Sequence, residues 1–126
     1  MSHYSLVKVK IKNVNESVLR QAIQELCKHF QFQVVNQVED FYGHPRTDFL
    51  IGIKNRDYPR GVGIKLENGQ ITLVGDFYNT YGPQHISQLI SQYYTIQALK
   101  VGLKKIGYNP RVVKNGEKVL IHAFAV

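Results

Sequence analysis

"VGIKLENGQITLVGDFY", residues 62–78, decides how the chain folds. Two alternating runs flank Asn68-Gly69. A type I′ turn needs positive φ at both central positions, and Asn-Gly supplies that at least cost. The stretch therefore predicts a β-hairpin, and the elements around it are read relative to that hairpin.

Upstream, the chain alternates from Tyr4 to Lys12. Val7, Val9 and Ile11 point one way, and Lys8, Lys10 and Lys12 the other. Period two predicts a strand with one buried and one wet face. Asn15 then offers an N-cap, with Glu16 in the first turn. Val18, Leu19, Ala22, Ile23, Leu26 and Phe30 recur every three or four residues, which predicts an amphipathic helix. "FQFQVVNQV" (residues 30–38) and "DFLIGIKN" (residues 48–55) read as two more strands. "RDYPRG" (residues 56–61) reads as a break, because Pro59 and Gly61 punctuate it.

Downstream, Pro83 suits a first helical turn, and the helix is expected to run to Ile106 with Gly107 as its C′ residue. Ile86, Leu89, Tyr93, Ile96, Leu99, Leu103 and Ile106 form its stripe. Ile90, Tyr94, Ala98 and Val101 widen it, which makes this the better-covered helix. A second Asn-Gly pair, Asn115-Gly116, predicts a closing hairpin. The order is β-α-β-β-β-β-α-β-β. It predicts a single α+β domain, a mostly antiparallel sheet with both helices on one face, and a ferredoxin-like core with extra strands.

With 126 residues, the chain can bury a sizeable core without disulfides or metal. Cys27, the one cysteine, falls on the buried side of the first helix and reads as a small core residue. One cysteine cannot form an internal disulfide or a paired-cysteine zinc site. No apolar run is long enough to cross a bilayer, and "MSHYSLVKVKIK" lacks a signal-peptide core. A soluble, cytoplasmic protein is expected. Sixteen Lys and Arg stand against nine Asp and Glu, a formal charge of +7 that favours polyanionic partners.

Catalytic constellations are missing from the sequence. There is no Gly-x-Ser-x-Gly elbow, no histidine pair at i, i+4, and "GVG" at residues 61–63 leads into a strand rather than a helix. No catalytic residue, metal ligand or cofactor is assigned. Two polar, aromatic loops are candidate binding elements: Tyr42, His44, Arg46 and Asp48 in one, Asp76, Tyr78, Tyr81 and His85 in the other. Arg46 and Asp48 are also placed to pair across their own loop. The candidate basic face combines Lys8, Lys10 and Lys12 with Lys100, Lys104, Lys105 and Arg111. Base stacking would want aromatics interleaved there, and His122 and Phe124 are the candidates for it.

The opening "MSHYS", the Tyr42-Gly43 pair with Asp48, the hairpin "NGQITLVGD" and the "QYY" of the second helix form a pattern. It resembles the conserved chloroplast reading frame thirty-five family. The matching positions are Ser2, His3, Gly43, Asp48, Gly63, Asn68, Gly69, Leu73, Val74, Asp76, Tyr93, Tyr94 and Gly107. The family often has tryptophan after the position of Asp76, where this chain offers Phe77, Tyr78 and Tyr81. This chain is also more basic. The resemblance implies a fold, and neither an activity nor a cofactor.

The expectation is a non-enzymatic binding or adaptor module with a protein partner, working through a sheet face, an edge strand or the aromatic loops. A nucleic-acid-binding domain is the first alternative, and a small-ligand or enzyme site at the two loops is the second. A homo-oligomer is compatible with any of these.

Overall fold

The structure, a computed structural model, describes residues 4–40, 42–77, 82–115 and 118–125, with backbone alone for residues 4, 5, 112–115 and 118–125. The elements run β1 (Tyr4–Lys8), α1 (Glu16–Phe30), β2 (Gln33–Val35), β3 (Val38–Glu39), β4 (Pro45–Arg46), β5 (Ile51–Asn55), β6 (Tyr58–Glu67), β7 (Gln70–Asp76), α2 (Pro83–Lys105), β8 (Tyr108–Asn115) and β9 (Lys118–Ala125). The result is the expected α+β domain, with two helices and a mostly antiparallel sheet. No helix among the described residues is long and apolar enough to cross a membrane.

The hairpin around Asn68-Gly69 forms as β6 and β7. Asn68 and Gly69 take φ of 52° and 75° at its tip, both in the left-handed region. The five-stranded sheet has the order β1-β7-β6-β5-β2, and every neighbouring pair is antiparallel. Four reversals leave β1 and β2 parallel, at opposite edges, joined by α1 across the sheet. β3 pairs with β4 and β8 with β9 in separate two-stranded sheets.

Both helices cover the same face. Leu19, Ala22, Ile23 and Leu26 of α1 and Ile86, Ile90 and Tyr94 of α2 share one core with Ile53, Val62, Ile64, Ile71 and Leu73. Asn15 caps α1 as its residue type predicts, accepting from the Val18 amide at 3.1 Å. The adjacent tyrosines of "QYY" reach to opposite ends of α1. Tyr94 Oη accepts from the Asn15 amide at 3.0 Å, and Tyr93 Oη hydrogen-bonds His29 Nδ1 at 2.6 Å. Cys27 is buried, and burial pushes its thiol up from the ordinary value.

Three expectations need correcting. The first strand stops at Lys8, not Lys12, so Lys10 and Lys12 lie beyond it. The chain has to turn into α1 there. Ile11 donates to the Val9 carbonyl, Asn13 takes φ 58° and Val14 donates to the hairpin tip at Gly69. Second, residues 56–61 do not break the sheet, because β6 begins at Tyr58 and runs through Pro59 and Gly61. Asn55 Oδ1 accepts from the amides of Asp57 and Tyr58 and closes a tight β5–β6 turn. The register shifts between Ile53 and Asn55, and Gly61 sits at φ 87°, where a Cβ would come within 2.8 Å of Val38 Cγ1. Third, α1 is the better-covered helix. Its buried side chains run along its whole length, whereas those of α2 end at Tyr94.

Candidate functional site

Residues 36–40 and 42–50 lie over the face of the sheet that the helices leave open. Val38 is buried there, and Phe49 lies across Gly52 and Gly63. This segment carries the first candidate loop. Asp40 Oδ1 accepts from the amides of Tyr42 and His44 at 3.0 and 2.9 Å, so the turn is built by Asp40. Tyr42 is 77% exposed, and its ring stands 6.1 Å from that of His44. Arg46 Nε lies 3.5 Å from Asp48 Oδ1, which is the pairing expected across the loop, and Lys65 Nζ lies 3.2 Å from Asp48 Oδ2. Partial desolvation raises the Asp48 carboxyl. Its own backbone amide, the Lys65 ammonium and the Arg46 guanidinium together outweigh that, so it lies below the ordinary carboxylate value.

The second candidate loop divides. Asp76 is buried at the end of β7. By strand alternation it shares a face with Thr72 and Val74, and its carboxylate accepts from the Arg60 guanidinium. His85 is exposed on the first turn of α2, in the helix layer on the other face. Tyr78 and Tyr81 lie outside the described residues. Asp48 thus pairs with Arg46 and Lys65, and Asp76 with Arg60. Among the described residues, no three His, Cys, Asp or Glu side chains gather as a metal would require.

The basic residues also divide. Lys8 and Lys10 line an open groove of about 980 Å³ with Gln84, Ser87, Gln88, Ser91, Gln92, Thr95, Ile96 and Leu99 of α2. Lys100 and Lys104 line a smaller hollow with Gln97 and Val101 of α2 and Gln21, Gln24 and Glu25 of α1. At about 100° per residue the two sets fall on opposite flanks of α2. Lys105 and Arg111 are exposed beyond them, and the side chains of His122 and Phe124 lie outside the description.

The groove joins an edge strand to a helix face. β1 is an edge strand, paired on its inner side with β7. The Val9 amide donates to Ile71, so by antiparallel alternation the amides of Val7 and Ser5 also face β7. Those of Tyr4, Leu6 and Lys8 then face outward. Above this edge α2 presents two rows at four-residue spacing: Gln84, Gln88 and Gln92, and Ser87, Ser91 and Thr95. The rows end in Ile96 and Leu99, the latter 51% exposed. Reading the sequence for acids, bases and cations passes over these neutral rows. The repeat "QHISQLISQYYT" (residues 84–95) is the signal that would have found them.

Comparison with protein-family models, curated proteins and solved structures returned no match for this chain.

Proposed function

We propose that this protein is a non-enzymatic binding module that takes an extended segment of a partner protein along the outer edge of β1, beneath α2. The observation that carries the reading is the coincidence of an open strand edge with a groove lined by hydrogen-bonding and apolar side chains. An added strand would pair with the outward groups of Tyr4, Leu6 and Lys8, and its alternate side chains would enter the groove. Backbone pairing supplies affinity in this mode, and the pocket supplies selectivity. The resemblance to the chloroplast family belongs to the same proposal. Asn68, Gly69, Tyr93 and Tyr94 act here as turn and helix-clamping residues, which suits a shared fold. A lone buried thiol suits a reducing compartment, so the cytoplasm is the proposed location.

Leu6→Pro tests the reading. Proline there deletes an outward amide hydrogen and leaves the β1–β7 ladder intact, so the fold should survive. Peptides of about ten residues, selected from a random display library on the native protein, are expected to bind the variant at least about tenfold more weakly. Circular dichroism and melting should be unchanged. Peptides that bind both proteins equally would sink the proposal.

A further inference from the structure

The groove's chemistry says more about what fills it. Among the described residues that line it, charge comes from Lys8 and Lys10 alone, and no carboxylate faces them. Lys12, also exposed, follows two residues on. The remaining lining is amide, hydroxyl and aliphatic, with no aromatic ring and no arginine. We infer that the occupant is an acidic extended segment, with carboxylates that meet Lys8 and Lys10 and small or aliphatic side chains that point towards Ile96 and Leu99. This rests on the proposed docking of a strand at β1.

Three features favour a peptide over other occupants. Single-stranded nucleic acid is held by aromatic platforms and arginine planes, and the groove offers neither. The basic groups on opposite flanks of α2 do not make one track for a phosphate backbone. A second copy of this chain, added edge to edge, would bring its own lysines to the seam, and lysines on an edge strand oppose that pairing. An acidic strand turns the same lysines from a barrier into a selective contact.

Two synthetic peptides of about ten residues decide it, one alternating Glu with Val and one alternating Gln with Val, each titrated by fluorescence anisotropy. The Glu-Val peptide should bind at least about tenfold more tightly, and that advantage should shrink between about 50 and 200 mM salt. Lys8→Glu/Lys10→Glu should abolish the preference while the protein keeps its melting temperature, since both lysines are exposed. Equal binding of the two peptides, lost in Leu6→Pro, would overturn the acidic inference and leave the docking edge standing. Failure of both peptides to bind overturns both. A dimer in sedimentation that Leu6→Pro dissolves would assign the edge to a second copy and overturn the acidic peptide.

Discussion

At the scale of single residues, Asp76 turns out to be an architectural carboxylate. It is buried at the end of β7, and the Arg60 guanidinium meets it from the neighbouring strand. A carboxylate withdrawn from water needs a partner far more than an exposed one does. Arg60→Ala is therefore expected to cost about 2–3 kcal/mol, less than a fully buried pair because Arg60 keeps a third of its surface. Urea unfolding of the variant beside the native protein measures it. A change below about 0.5 kcal/mol would mean that the pair behaves like a surface contact. Tyr93 belongs to the same scale. Burial, and then the nearby Glu25 charge, raise its phenol above the ordinary value, so it stays protonated while it holds His29.

At the scale of elements, the segment that ends in Phe49 and Leu50 is held by a ring against bare backbone. A Cβ on Gly63 would come within 2.7 Å of Val74 Cγ2 and 2.9 Å of the Phe49 ring, and one on Gly52 within 2.8 Å of that ring. Gly63→Ala is expected to destabilise by about 1–3 kcal/mol through overpacking. In a Phe49→Ala background the penalty should fall, and a double-mutant cycle in urea reads the coupling. Additive effects would show that Phe49 does not rest on that glycine. The elements themselves were legible wherever a local rule governs them. Asn68-Gly69, Asn15 and Gly107 each carry their own conformational preference, and each sits where that preference predicts. What escaped depends on distant chain. Gly61 reads as punctuation until Val38 is seen lying over it, and α2 reads as the better-covered helix because its apolar stripe continues past its last buried side chain, Tyr94. The groove was illegible for the same reason. Its polar rows are plain in the sequence, but their meaning depends on β1 lying beside them.

At the scale of the whole molecule, charge and topology act separately. Part of the basic charge lies on the two flanks of α2, and the +7 net charge of the chain acts at long range as a general attraction for anions. Topology has a consequence in time. β5, β6 and β7 form a meander from consecutive chain, each turn only a few residues long. β1 completes the sheet by pairing with β7, its partner from far along the sequence, and so closes a long loop late. Amide exchange under native conditions should therefore protect Ile64 and Val74, whose amides lie inside the meander, most and release Val7 and Val9 first. The strand that is last to lock is also the strand proposed to receive a partner. An occupant there would pin the sheet's loosest member, and association would show as slowed exchange at Val7 and Val9 without any change in shape.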